Sequence, residues 1–222
     1  MKNFLQFILK KGIIFSFLIL VCESYSFSQD NAGASFMFLT WHPGGDKMAF
    51  LQPAKLDRNA NFVLNWGGVA WYERFVYRKR ISIKFAQGAY SDCARLFAGH
   101  THVGFRLNFL NSKKHSLQYG FGPTFVYRQS WYRFPGYVQQ NKYLKTSGNW
   151  QYAFVWNGSE IEYDYKITNK LDIGLHIIPA PPDFLSFEVG VRYWLRPIPS
   201  NKAWRNQPAK RKWFYTQKDI VK

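Results

Sequence analysis

The chain has 222 residues, a formal net charge of +17 and an aromatic content of 20%. Beyond position 28, no stretch approaches the roughly 18 consecutive apolar residues of a membrane-spanning helix, which excludes helical spans from that part of the chain. Only Cys93 remains beyond position 28, so no internal disulfide can form there.

Residues 1–28 have the pattern of a secretory signal. Three lysines form a basic start, an apolar run covers 12–21, and Ser26-Phe27-Ser28 is a small-x-small cleavage site. This pattern predicts export and a mature chain that begins at Gln29. Removal of the segment, which carries a net +2, leaves +15.

Alternating apolar and polar residues predict eight β-strands in the mature chain. They cover 33–41, 62–77, 81–90, 100–110, 116–131, 150–167, 171–178 and 184–195. Long connections at 42–61, 91–99, 132–149 and 179–183 alternate with short turns at 78–80, 111–115 and 168–170. An even number of strands with loops segregated in this way is typical of an antiparallel outer-membrane barrel, with short turns in the periplasm. We therefore expect an all-β fold over 29–195.

The strand faces indicate a barrel with lipid outside. In 184–195, Leu185, Val189 and Val191 alternate with Glu188 and Arg192, so one face is apolar and the other polar. Aromatic residues near the strand ends predict two interfacial girdles. These are Tyr119, Tyr163, Tyr165 and Tyr193 toward the periplasm, and Trp131, Trp150 and Tyr152 toward the outside.

The last strand carries Gly190, Tyr193 and Leu195, which resemble the glycine-plus-aromatic signal that barrel-assembly machinery recognises in outer-membrane proteins. The span 29–195 resembles small eight-stranded barrels of the OmpA, OmpX and PagP kind. The cleavage region and the aromatic richness resemble envelope proteins of Bacteroidota. The resemblance implies the outer membrane of a Gram-negative cell, and contact with its lipid, its lipopolysaccharide and the assembly machinery.

The inward strand positions carry charged residues that we expect to pair inside the barrel, because a stranded buried charge costs several kcal/mol. This predicted set is Lys84, Arg106, Arg128, Glu160, Glu162, Asp164, Asp172, His176, Glu188 and Arg192. Two roles remain open: an ion-paired plug that stiffens the barrel, or a narrow ion pathway.

The outer mouth holds weak catalytic candidates in Ser91, Asp92, His100 and His102. A serine with a histidine base and an orienting carboxylate can perform acyl transfer. PagP-like palmitoyl transferases resemble this arrangement in residue types only. The same histidines, with Asp92 and Cys93, offer metal ligands, or they simply hydrogen-bond to loop backbone. We predict no metal and no cofactor.

The segment 196–222 carries eight cations and one acid, a net +7, interleaved with aromatic residues. Its predicted docking residues are Arg205, Lys210, Arg211, Lys212, Trp213 and Phe214. The segment could dock on an acidic periplasmic protein, contact anionic polymers or headgroups, or be a disordered appendage. The predicted compartment argues against nucleic acid.

These observations predict a non-enzymatic outer-membrane barrel that serves as an accessory subunit of an envelope complex, such as a secretion or barrel-assembly machine, and docks through its tail. The first alternative is a lipid A modifying acyltransferase or hydrolase at the outer mouth. The second is a narrow ion or solute channel. Cations in the outer loops could pair with lipopolysaccharide phosphates.

Overall fold

A computed structural model describes residues 29–77, 80–139, 143–180 and 184–195. In these ranges, nine antiparallel strands form one sheet, and eight of them close into a barrel. The barrel strands are β1 (Asp30–Trp41), β2 (Phe62–Tyr77), β3 (Ile81–Ser91), β4 (Phe97–Asn111), β5 (His115–Gln129), β7 (Trp150–Lys166), β8 (Leu171–Ala180) and β9 (Phe184–Trp194). The short β6 (Lys145–Ser147) and the 3-10 helices Ala49–Leu51 and Trp131–Arg133 lie in loops.

The barrel closes where β1 pairs with β9, with Ala34 opposite Val191. Successive barrel strands pair with each other, and β5 pairs directly with β7. The register shifts between Gly122 and Thr124, where Pro123 interrupts β5, because proline has no N–H to donate to a ladder. No helix in the described ranges is long and apolar enough to cross a membrane.

The polarity of the barrel is the reverse of that of a water-soluble barrel. Val189 and Val191 are 44% and 47% exposed on the outer face of β9, whereas Glu188 and Arg192, which flank them in the sequence, are each 1% exposed. Phe105 on β4 is also exposed, and Arg106 beside it is buried. An apolar side chain gains about 1.5–3 kcal/mol when it leaves water, so this outer face is stable in lipid.

The connections fall at two ends of the barrel. Among the described residues, the long-loop end carries the connecting segments 42–61, 92–96, 130–139 and 143–149, and the short-turn end carries 80, 112–114 and 167–170. The first three long loops pack on one another through an apolar cluster, which we call the loop cap. It contains Ala49, Ala60, Val63, Cys93, Ala94 and Trp131.

The structure confirms the predicted eight-stranded all-β barrel, with strand ends that differ from the predicted ones by at most three residues. The prediction for one residue of the outer girdle is wrong. Trp131 was expected to end a strand and join the outer girdle, but β5 ends at Gln129, and Trp131 is 3% exposed inside the loop cap. The segments 1–28 and 196–222 lie outside the described residues.

Candidate functional site

Arg106 joins three carboxylates from two other strands inside the barrel. Its Nη1 lies 3.2 Å from Glu73 Oε2 on β2, its Nε 2.9 Å from Glu160 Oε1, and its Nη2 2.6 Å from Glu162 Oε2, both on β7. The Arg106 side chain is fully buried. Even-numbered residues of β4 point inward, which places the guanidinium in the lumen.

Lys84 and Arg192 continue this set of ion pairs. Lys84 Nζ donates hydrogen bonds to Glu160 at 2.9 Å and Glu162 at 3.2 Å. Arg192 on β9 pairs with Glu162, and its Nη1 donates to Asp164 at 2.8 Å. We call this cluster the lumen network; its residues are Glu73, Lys84, Arg106, Glu160, Glu162, Asp164, His176 and Arg192. It links strands on opposite sides of the barrel.

Glu73 is the member of the network that sequence reasoning missed. It is 0% exposed, and it accepts hydrogen bonds from Asn31 at 2.9 Å and from Ser82. The inner face of β2 carries four buried residues at every second position, namely Val69, Trp71, Glu73 and Phe75. The period-two pattern of β2 therefore carried the signal, and assignment of its two faces would have found Glu73.

Three predicted lumen residues lie apart from the centre of the network. Arg128 is at the long-loop end, with its guanidinium carbon 4.0 Å from the centre of the Trp131 ring. Asp172 accepts a hydrogen bond from Trp194 Nε1 at 2.7 Å. Glu188 accepts one from Ser35, and its Oε2 lies 3.8 Å from Nδ1 of His176.

A cavity of about 610 Å³ lies between the lumen network and the loop cap. Lys84, Glu160 and Glu188 line its deep part, and loop residues such as Met48 and Tyr137 line its outer part. Met37, Val69, Ala86, Val126, Val155 and Ile178 supply an apolar wall from six strands. This lining identifies the cavity as the candidate ligand site of the barrel.

Ser91 is separated from the two histidines among the predicted mouth residues. It pairs with Phe97 and with Trp66, both of which are exposed on the outer face of the barrel. Ser91 lines a surface pocket outside the barrel with Leu64 and Trp66, whereas His100 and His102 line the central cavity, and Asp92 borders both. The structure therefore does not bring Ser91 to the histidines.

Asp92 holds the loop cap together. Its carboxylate accepts hydrogen bonds from Trp131 Nε1 at 2.7 Å and from the backbone N–H groups of Leu96 at 2.8 Å and Ala94 at 3.0 Å. Burial raises the pKa of Asp92, and burial also raises the pKa of the neighbouring Cys93 thiol. These contacts give Asp92 a structural role in the cap.

The two histidines of β4 lie side by side in the cavity wall. His102 Nδ1 is 2.6 Å from the Thr124 hydroxyl. A Cβ at Gly88 would lie 2.5 Å from Cε1 of His100, so the glycine leaves the space that this ring occupies.

A third histidine, His42, lies in the first long loop and also lines the cavity. Burial lowers the pKa of His42.

Glu162, Asp164 and His176 come close enough to suggest a metal centre, since their ligand atoms lie within 4.8 Å of one another. However, Arg106 and Arg192 already bind the carboxylates of Glu162 and Asp164. Carboxylates that bind a metal ion need oxygen atoms that are not already paired with a guanidinium group. The arrangement fits ion pairs better than a metal ion.

The residues of the predicted assembly signal occupy both faces of β9. Tyr193 and Leu195 are 47% and 51% exposed, and Gly190 is buried. A Cβ at Gly190 would lie 2.8 Å from the Cβ of Ser35, so this position needs glycine. The predicted docking residues of the tail lie outside the described residues.

The closed strand pairing, the apolar outer face and the charged lumen define the chain as a small eight-stranded β-barrel of the outer-membrane type. No protein-family model and no curated protein matches the chain.

Three solved structures illustrate what the fold is similar to. The attachment invasion locus protein Ail of Yersinia pestis is 11% identical, with a TM-score of 0.41 over 76% of this chain and 97% of that chain. The N-terminal β-barrel domain of Pseudomonas aeruginosa OprF is 11% identical, with a TM-score of 0.41 over 75% of this chain and 99% of its own. Neisserial surface protein A is 9% identical, with a TM-score of 0.38 and coverages of 75% and 96%.

Proposed function

We propose that the chain is a non-enzymatic accessory barrel of the outer membrane that docks an acidic periplasmic protein through its basic short-turn end and the tail that follows. The observation that carries this proposal is the charge at the short-turn end. Arg80, Lys113, Lys114 and Lys170 are exposed in the turns. The turns at 80, 112–114 and 167–170 contain no Asp or Glu.

The last described residues before the tail lie at this basic end. The backbone N–H of Trp194 donates to the carbonyl of Lys170 at 2.8 Å, and that of Leu195 donates to the carbonyl of Asp30 at 3.0 Å. The tail after Leu195 adds a net +7. The turns and the tail together would present one basic surface, which steers an acidic partner by long-range attraction.

The lumen network supports a scaffold role rather than a transport role. Arg106 and Arg192 are buried and bridge β2, β7 and β9. Such a plug stiffens an eight-stranded barrel, whose interior is filled by side chains. The alternative of a narrow ion channel would need a continuous path through these ion pairs, and it predicts a bilayer conductance that changes with Arg106 or Glu160 substitution.

Deletion of residues 196–222 tests the docking. The truncated barrel should still show heat-modifiable mobility in membranes, but it should no longer co-purify an acidic protein that the full chain retains. Charge reversal of Lys113 and Lys114 should weaken the same capture, and added salt should weaken it in the full chain. The matched control reverses Lys47 and Arg58 at the long-loop end.

Three outcomes would contradict the proposal. One is an unchanged set of partners after the deletion. A second is an equal loss of capture in the control with Lys47 and Arg58 reversed. The third is a tail that binds anionic phospholipid vesicles and captures no protein, which would identify a headgroup contact instead.

The proposal also includes two contacts within the outer membrane. The assembly machinery would recognise Gly190, Tyr193 and Leu195, and lipopolysaccharide would bind the loop cations.

A second candidate function is a lipid A modifying acyltransferase or hydrolase. It is favoured by the 2.6 Å contact of His102 Nδ1 with the Thr124 hydroxyl, since a histidine can serve as the base for a hydroxyl nucleophile. Mass spectrometry of lipid A from a deletion strain should then show altered acylation. Wild type should restore it, and Thr124→Val and His102→Ala should not. Restoration by both variants would rule this candidate out.

A further inference from the structure

The cavity below the loop cap combines an apolar wall with hydrogen-bond acceptors that have no partner. Glu188 Oε1 and Asn65 Oδ1 are buried and have no hydrogen-bond partner within the described ranges. Glu188 is 1% exposed and Asn65 is 9% exposed, and both line the cavity. A buried acceptor without a partner destabilises the fold, so a ligand that donates hydrogen bonds would relieve this cost.

The charge balance of the lumen points to the sign of that ligand. At the described inward positions, four cations, Lys84, Arg106, Arg128 and Arg192, face a larger set of buried carboxylates. These are the six residues Glu73, Glu160, Glu162, Asp164, Asp172 and Glu188. Because carboxylates outnumber cations by two, a positively charged donor complements the site better than an anion does.

The wall of the barrel is incomplete beside the cavity. The ladder between β7 and β8 ends at the pair Ile161 and Ile177, although β7 continues outward to Trp150. Within the described ranges, Ile178–Ala180 pair only with β9. Pro179 has no backbone N–H to extend the ladder. We call this opening the β7–β8 seam.

The cavity reaches the seam. Gly158, Ser159 and Glu160 on one side and Ile178 on the other all line it. Outside the seam, Phe154 and Trp156 are 51% and 75% exposed, with their rings 4.8 Å apart. An opening of this kind, flanked by exposed aromatic rings on the lipid-facing side, connects the cavity with the membrane rather than with water alone.

We propose that this cavity binds a membrane-borne, single-chain amphiphile with a cationic end. The ammonium group donates hydrogen bonds to Glu188 and Asn65, and the hydrocarbon chain packs on Met37, Val69 and Val155. The amphiphile enters through the β7–β8 seam. This site is separate from the docking surface at the short-turn end, so either assignment can fail without the other.

Methionine methyl NMR is suited to this test, because the chain has three methionines and two of them, Met37 and Met48, line the cavity. The full-length barrel, labelled at the methionine methyl groups, would be placed in phosphatidylcholine nanodiscs and titrated with dodecylamine. We expect a saturable shift of the Met37 signal. Dodecanoic acid should give none at the same concentration, and butylamine should bind at least about tenfold more weakly.

Two pairs of variants locate the ligand. Glu188→Gln should weaken dodecylamine binding at least about tenfold, whereas Asp172→Asn removes a buried carboxylate at the opposite end of the lumen and should leave the affinity unchanged. Ala86→Leu fills the cavity and should abolish the shift. Ala89→Leu adds the same side chain to the exposed outer face of β3 and should have no effect.

The proposal would be overturned by an unsaturable drift of all methionine signals or by equal responses to dodecylamine and dodecanoic acid. Equal affinity for butylamine and dodecylamine would assign the site to a water-borne amine and would also overturn it. If Glu188→Gln or Ala86→Leu failed to fold, as judged by heat-modifiability, the chain-length and charge series on the unmodified protein would still decide the outcome.

Discussion

Arg106→Met is the substitution that most directly tests the role of the lumen network. It replaces a long cation by an apolar side chain of similar length. Glu73, Glu160 and Glu162 then lose the guanidinium, which lies between 2.6 and 3.2 Å from their oxygens. Lys84 and Arg192 remain as cations for these carboxylates, and they do not replace the three contacts of Arg106.

Removal of one partner from a buried ion pair typically costs about 3–5 kcal/mol, because the remaining charge has no partner in a low-dielectric surrounding. For a chain of this size, about 1 kcal/mol corresponds to a shift of roughly 2–4 °C in melting temperature. We therefore expect Arg106→Met to lower the melting temperature by about 6–20 °C.

The assay is the fraction of folded barrel that survives heating in lipid vesicles, read from electrophoretic mobility without boiling. Arg74→Met is the matched control, because Arg74 Nε lies 3.7 Å from Asp30 and its side chain is 32% exposed. Because the Arg74 side chain remains in contact with water, this pair should contribute less than the fully buried pairs of Arg106. Equal melting temperatures for the two variants would refute the conclusion that the lumen network stabilises the barrel.

Three further predictions concern the long-loop end. Trp131→Phe removes the indole donor to buried Asp92. It should destabilise the loop cap by about 1.5–3 kcal/mol and speed proteolysis of the long loops, and unchanged cleavage rates would contradict this prediction. Cys93 is buried, and its pKa is raised by burial, so a maleimide at pH 8 should label it only after heat denaturation in detergent; fast labelling of the folded barrel would show that the cap is open. A backbone hydrogen bond from Phe62 lowers the pKa of Asp57. The Asp57 carboxylate should therefore stabilise the first long loop above the usual aspartate pKa, and this stabilisation should be lost as the pH falls through the lowered pKa. Asp57→Asn should remove this pH dependence from amide exchange at Phe62, and an unchanged profile would argue against it.

The strands could be predicted from the sequence because the two barrel faces contact different environments. Lipid outside and paired charges inside force a strict period of two, which is clear in β9 from Val189 to Arg192. Loops carry no such constraint. The burial of Trp131 depends on contacts with Cys93 and Asp92 from another loop, and such contacts between distant segments leave no local pattern.

The site was less predictable than the fold, because its residues come together only when strands are placed in register. His100 and His102 were assigned to the mouth from their position at a strand end, and they do line the cavity. Ser91 lies at a strand end as well, but it points to the other face of the sheet. A shift of one residue along a strand reverses the face, so proximity in sequence does not decide whether residues meet.

The two halves of the lumen follow different packing rules. Around Arg106, long charged side chains fill the space and bind one another. Toward the long loops, small residues occupy inward positions on two strands, namely Ala86 and Ala98, and a cavity of about 610 Å³ remains. Protein interiors are normally close-packed, and larger side chains at such positions usually add stability. A cavity of this size beside the unpaired oxygens Glu188 Oε1 and Asn65 Oδ1 leaves the barrel less stable than a filled lumen would be. A ligand site accepts such a loss of stability, and a purely structural plug does not.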